Sequence, residues 1–433
     1  MRGIVLGVLI VSLHSPVAFA DDWPQWRGPR RDGVWRETGI VAKLPAETLV
    51  PVWRTPIGAG YAGPAVAGGK VFVLDRQRNE NLERVLCLDA KTGAALWTHA
   101  YPCRYKDISF DSGPRATPTV AGDKVYTVGT MGNLHCLDVA TGKVCWAKDF
   151  VKDFGAKVQV WGFAAAPIVD GERVIAVVGG PANAMVVAFH KDTGAELWRA
   201  LPEQHPGYST PILMETGAMR QLVVWFTGEV AGLDPASGAV QWRREFSCKD
   251  PIVATPLFAD GKLLVSAFYN GSRMFRMDGG MPELMWQGKS ASEMEAETDG
   301  LHALMCPPMM AGGRIYGVCS YGALRCLDAA TGARVWETYA ATGQGRWWNA
   351  FLVMQGERTF IANEQGELVI AKLSPSGYEE ISRAKLLAPT NKVMSRTVVW
   401  SHPAFAYRHV FARNDKEIVC VSLAEGGGAM RVQ

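Results

Sequence analysis

One phrase returns along this chain at nearly constant intervals, and it restricts the fold more than any other feature. It reads Cys87-Leu-Asp-Ala-Lys-Thr-Gly-Ala-Ala-Leu-Trp97, then Cys136-Leu-Asp-Val-Ala-Thr-Gly-Lys-Val-Cys-Trp146, then Cys326-Leu-Asp-Ala-Ala-Thr-Gly-Ala-Arg-Val-Trp336. Weaker copies end at Trp198, Trp242 and Trp286. Counting from Trp53, successive tryptophans stand 44, 49, 52, 44, 44 and 50 residues apart. A repeat of that length is one supersecondary unit whose apolar face is buried only by stacking on copies of itself.

Upstream of each phrase lie one or two small residues, a proline, and then alternating apolar residues, as in Ala116-Thr117-Pro118, Ser209-Thr210-Pro211 and Ala254-Thr255-Pro256. Period-two runs bounded by Gly, Asp and Asn are strands joined by tight turns. One repeat therefore supplies four short strands, which predicts an all-β fold of four-stranded antiparallel blades. The Asp of the phrase (Asp89, Asp138, Asp328) can accept from backbone N–H groups two and three residues on. The Gly (Gly93, Gly142, Gly332) supplies a positive φ, and the Trp can cover the seam between blades.

Inner strands are marked by Pro64, Pro118, Pro167, Pro211, Pro256, Pro308, Phe351 (in place of proline) and Pro403, which counts eight blades. The outer-strand tryptophan is missing from blade seven, where Ile381 takes its place, and the chain runs out near Val421 in blade eight. The segment Val52-Trp53-Arg54-Thr55-Pro56 is predicted to return as the outer strand of that last blade. The expectation is thus an eight-bladed β-propeller closed by an N-terminal strand, a closure that removes free sheet edges. The repeats place all of it in one domain, residues 21–433.

Residues 1–20 read differently. Arg2, an apolar run over residues 4–13 and Ala18-Phe19-Ala20 have the pattern of a secretory signal peptide cleaved after Ala20. The run is too short to span a bilayer, so a periplasmic or secreted protein without a membrane span is expected. A net charge of +3 gives no electrostatic footprint for nucleic acid. Nine cysteines cannot all pair. Cys319 and Cys326, flanking a tight turn, are the one candidate disulfide.

The repeat resembles the pyrroloquinoline-quinone-like propeller repeat over nearly the whole chain, and Asp22-Trp23-Pro24-Gln25-Trp26-Arg27-Gly28-Pro29 resembles the lead-in of exported propellers of that type. This resemblance implies one of two activities. Quinoprotein dehydrogenases hold the quinone with calcium in the central channel and oxidise alcohols or sugars. Other members are non-enzymatic scaffolds, such as the lipoprotein that assists outer-membrane β-barrel assembly. The adjacent Cys-Cys pair of the dehydrogenases is absent here, as is any Cys-x-x-Cys-His haem motif. The lipidated cysteine of the assembly lipoprotein is also absent.

The expectation is therefore a non-catalytic binding scaffold of the cell envelope with no cofactor. A pyrroloquinoline-quinone and calcium-dependent dehydrogenase is the alternative, and a polysaccharide hydrolase or lyase a third reading. Candidate ligands are an envelope protein or peptide, or a small planar molecule, bound by a monomer.

A site is expected where long, varied connections enter the inner strands, since variable loops on a rigid scaffold carry binding. Three residues before each inner-strand proline, or before Phe351, stand Tyr61, Arg115, Ala164, Tyr208, Val253, Met305, Trp348 and Trp400. Four of the eight are aromatic, against 10% of the chain, so the position is selected for rings. Tyr61, Arg115, Tyr208, Trp348 and Trp400 are the predicted ligand-binding residues of the channel mouth, with Trp161, Phe163 and Trp347 close by. The same rings could instead plug the channel. No metal site is predicted: His205, His302 and His402, with Asp299 near His302, lie on different blades. The run Glu293, Glu295, Glu297, Asp299 reads as a solvated loop.

Overall fold

A computed structural model describes residues 21–432 except 218, 247, 249, 250, 428, 429 and 431; the predicted signal peptide lies outside the described residues. Eight four-stranded antiparallel sheets are present among the described residues, as the repeat count requires. Blade one comprises Ala65–Ala67, Lys70–Gln77, Leu82–Asp89 and Ala95–Pro102, paired in that order from the centre outwards. The inner strands of blades two to six begin at Thr119, Ile168, Ile212, Leu257 and Met309, each directly after its proline. Proline has no N–H to donate, and at these inner strands it stands just before the ladder. In blade seven Phe351 restores the donor, and the inner strand starts earlier, at Ala350–Gln355.

Blade eight has Ala404–Ala406, His409–Arg413 and Glu417–Ser422, and its outer strand is Trp53–Pro56 from the other end of the chain. Trp53 faces Cys420 and Pro56 faces Glu417. Trp53 is therefore the eighth-blade counterpart of the repeat tryptophans.

Those tryptophans act across seams. The indole N–H of Trp97 donates to Val139 O in blade two at 2.9 Å, and Trp146 does the same to Lys191 O in blade three at 2.7 Å. Each ring also lies flat on the glycine of the next blade's turn. A Cβ at Gly142 would stand 2.5 Å from Trp97, and one at Gly93, whose φ is +72°, would stand 2.5 Å from Trp53. The turn glycine is needed twice, for its backbone and for its missing side chain. Asp89 Oδ1 accepts from Lys91 N, Thr92 N and Thr92 Oγ1 at 2.9–3.0 Å, as the phrase predicts.

Two sequence expectations need correcting. In blade seven the tryptophan seat, opposite Ile370, belongs to Ser382, while Ile381 is the extra residue of a β-bulge. Ser382 Oγ accepts from Leu44 N at 3.0 Å, and Leu49 N donates to Lys385 O, so residues 44–49 cover the side of the blade that lacks a tryptophan. Cys319 and Cys326 are free thiols. Cys319 pairs with Ala323 and Cys326 with Tyr316, so an odd separation puts the two side chains on opposite faces of the hairpin.

Candidate functional site

The chain enters each inner strand from the channel mouth, and the positions three and one before each proline supply two layers of its lining. The sequence argument used the upper layer. Tyr61, Arg115, Ala164, Tyr208, Val253, Met305 and Trp400 line one cavity of about 150 Å³. Trp348 does not; it borders a separate surface cleft with Lys392 and Arg396. Its neighbour Trp347 occupies the mouth instead. The backbone turns there: Trp347 has φ +66°, and Trp348 folds over Gly343 and Gly345 with the Arg396 guanidinium 5.3 Å above its ring.

A second ring residue, Phe110, was not legible at all. It sits in the 103–118 connection with φ +53° and meets Trp161 at 6.0 Å, Trp347 at 5.5 Å and Trp400 at 6.0 Å between centroids. Two bulky residues held in the left-handed region at one mouth are a local strain that surrounding structure must impose. Trp161 and Tyr208 continue the wall at 5.0 Å.

The lower layer and the floor come from elsewhere. Trp23 pairs with Val66 of blade one, and Val120 N of blade two donates to Pro24 O, so the N-terminal segment crosses the turn face of the propeller. It then inserts Trp26 into the channel, where the indole N–H donates to Thr255 Oγ1 at 2.9 Å. The ring packs edge-on against His402 at 4.4 Å and against Phe351 at 6.4 Å. Thr117, Thr210 and Thr255, each directly before its proline, complete this layer. Period-two alternation would have found them in the sequence. The floor itself was out of reach, because nothing local tells a lead-in segment to fill a channel.

Electrostatically the site is quiet. Burial pushes the His402 imidazole down to about 4, so it is neutral at pH 7. Its Nδ1 faces the Pro403 carbonyl at 3.3 Å, which can only accept, so that nitrogen carries the proton and Nε2 accepts from Thr117 Oγ1 at 2.7 Å. Arg115 is lowered by burial and raised by nearby Tyr105 and Tyr61. Its guanidinium donates to Gly113 O at 2.9 Å, to Ser109 O at 3.1 Å and to Phe110 O. Arg115 therefore holds the loop that carries Phe110, with its guanidinium 5.3 Å above the Tyr61 ring. Among the described residues lining the cavity there is no carboxylate. Glu364 lies behind the wall, accepting from Trp400 Nε1 at 2.8 Å and from Arg396 Nε at 2.5 Å.

The histidines do not converge. His302 is buried with Nδ1 at 3.1 Å from Phe268 O, while His205 is exposed. Among the described residues the one group of three metal-ligating side chains within reach of one another is Glu172, His190 and Asp192, on the surface. The acidic run is partly tied down, since Glu293 pairs with Arg346 at 3.3 Å and Glu295 accepts from Gln344 at 3.0 Å.

A family model described as outer membrane protein assembly factor BamB matches residues 34–177, 81–338 and 283–431, overlapping spans that run through nearly the whole propeller. The chain belongs to that family. A member from Burkholderia pseudomallei, an outer membrane protein assembly factor BamB, is 25% identical over 290 residues, covering 65% of this chain and 67% of its own. The quinoprotein ethanol dehydrogenase of Pseudomonas aeruginosa is 32% identical over 174 residues, but these are 37% of this chain and 26% of the enzyme. The chain thus spans about a quarter of that relative. The crystal structure of quinohemoprotein alcohol dehydrogenase from Comamonas testosteroni superposes with a TM-score of 0.65 at 14% identity, covering 95% of this chain and 81% of that one, which shows the shared fold.

The family fold raises the question of a quinone held by calcium, and the residues present do not fit that pair. Calcium takes six to eight oxygen ligands, carboxylates prominent among them. This wall offers threonine hydroxyls, of which Thr117 and Thr255 are already engaged by His402 and Trp26. The floor is filled by Trp26, and the one arginine is occupied by loop carbonyls.

Proposed function

We propose that this protein is a non-catalytic binding scaffold of the bacterial cell envelope, a single propeller domain over residues 21–433. In this reading it is exported by the 1–20 leader and works as a monomer. Its partner is an envelope protein or peptide that places an apolar side chain in the aromatic mouth; a small planar molecule is the alternative occupant. The observation that carries the reading is the mouth itself. Tyr61, Phe110, Trp161, Trp347 and Trp400 present ring surface around a dead-end cavity in which Thr117, His402 and Arg115 are already hydrogen-bonded. An apolar cavity of about 150 Å³ takes one benzene-sized ring, and rigid aromatic anchors around a pocket are where binding energy concentrates. Membership of a family described as an outer membrane assembly factor supports an envelope partner. Among the described residues no helix is long and apolar enough to cross a membrane.

Binding is read as quenching of tryptophan fluorescence during titration with extended peptides bearing one aromatic side chain, against the same peptides with that residue replaced by serine. Trp161→Ala and Trp347→Ala should each weaken the aromatic peptide at least about tenfold, as hot-spot truncations do. Trp348→Ala, outside the cavity, should leave affinity within about threefold. Equal losses in all three variants would show that the mouth is not the contact. Quinone and calcium are added in parallel: saturable binding with dye reduction by alcohols would replace the scaffold reading with the dehydrogenase one.

A further inference from the structure

Blade two differs from its neighbours at one pair of positions. Outer strands of this propeller carry an extra residue just before the tryptophan seat, so two outer-strand residues face one residue of the third strand. In blade one the extra residue is Leu96, next to the Trp97 that pairs with Cys87; in blade six it is Val335, next to the Trp336 that pairs with Cys326. In blade two it is Cys145, unpaired in the bulge next to Trp146, the residue that pairs with Cys136. The repeat itself explains a cysteine on the third strand, because Cys87 and Cys326 hold that seat as small buried residues. It does not explain a second cysteine at the bulge, where the other blades place Leu96, Leu197, Gln241, Met285 or Val335.

We propose that Cys136 and Cys145 form a reversible cross-strand disulfide that staples the third and outer strands of blade two. The bulge sets Cys145 and Trp146 together against Cys136, so the two cysteines stand side by side on adjacent strands. The two thiols already interact: burial first, and the Cys145 sulfur second, push the Cys136 thiol up to about 12. Exposure divides the roles. Cys145 is exposed and meets an oxidant, while Cys136 is fully buried and can react only with its neighbour. Lys124, held by Asp123 at 2.7 Å, lies close to both sulfurs.

The oxidant is a small-molecule or protein disulfide. The Cys145 thiolate attacks one of its sulfurs, forming a mixed disulfide and expelling one thiolate. The Cys136 sulfur, its proton released, then attacks the Cys145 sulfur and expels the second thiolate. The protein gives up two electrons and two protons, and the oxidant takes up both pairs as two thiols. This step is independent of what the aromatic mouth binds.

The test incubates the full chain, folded, with oxidised glutathione, then quenches in acid, alkylates under denaturing conditions and counts thiols by mass. The nine thiols of the sequence should fall to seven and return to nine on reduction with dithiothreitol. After tryptic cleavage beyond Lys143, the peptides carrying Cys136 and Cys145 should travel as one. Cys145→Ser, an exposed position, should fold normally and lose no pair of thiols. The proposal is overturned if nine thiols persist, if Cys145 is glutathionylated while Cys136 still alkylates, or if the linked pair is a different one.

Discussion

Between pH 7 and pH 5 the folded chain is expected to lose several kcal/mol of stability, ahead of the main titration of the surface carboxylates. The cause is three buried histidines. His135, His302 and His402 are each pushed down to about 4, in every case first by burial. His135 is lowered further by His99, 5.0 Å away between ring centroids, whereas Phe268 O, Asp299 and Glu293 partly offset the effect at His302. In the unfolded chain a histidine titrates near 6.5. Below that value the unfolded state takes up protons that the folded state refuses, so stability falls as pH drops and the loss is complete near pH 4. At about 1.4 kcal/mol per pKa unit, each ring can contribute up to about 3 kcal/mol. Glu37, raised chiefly by burial, acts in the opposite direction over part of this window. Guanidinium unfolding at pH 7.0, 6.0, 5.0 and 4.5 measures the slope. His402→Gln should flatten it by about one proton relative to the wild type. A profile level between pH 7 and pH 5 would show that these rings are not buried neutral.

Trp53→Ala is expected to be among the most damaging single truncations outside the channel. Trp53 is 8% exposed, and its indole N–H donates to Ala90 O at 2.8 Å while its ring covers Gly93. This is the seam where the two ends of the chain meet. Removing a buried tryptophan costs about 3–5 kcal/mol, which for a chain of this size corresponds to a fall in Tm of roughly 4–6 °C. Trp198→Ala removes the same indole from an internal seam, where the covalent chain still holds the outer strand in place. The two variants should therefore share a similar Tm but differ in a second readout. Only Trp53→Ala should raise amide exchange across Glu417–Ser422 and promote self-association through the uncovered edge of that strand. Leu96→Ala, at a half-exposed position, is the control and should shift Tm by less than a degree or so. An unchanged Tm in Trp53→Ala would mean the closing strand contributes little.

Much of the fold could be read because it repeats. Asp89, Gly93 and Trp97 are each explained by contacts within one blade and its neighbour, and any copy of the phrase builds the same turn and seam. Even the closing strand was legible, since Trp53 keeps the repeat spacing. Where a repeat degenerates, the reading slipped. Ile381 looks like the tryptophan's replacement by hydropathy, yet the bulge hands that seat to Ser382. Cys319 and Cys326 look opposed across a turn until the register is known.

The candidate site divides along the same line. The fixed spacing from each inner-strand proline placed Tyr61, Arg115, Tyr208 and Trp400 at the channel mouth from the residues alone, because the chain entering each inner strand comes from the same face of the propeller. Tertiary structure decided the rest. It replaced Trp348 with Trp347, brought Phe110 in from a loop, turned the Arg115 charge onto carbonyls and closed the channel with Trp26. Each of these depends on irregular backbone or on contacts between residues hundreds of positions apart. No local periodicity encodes either one.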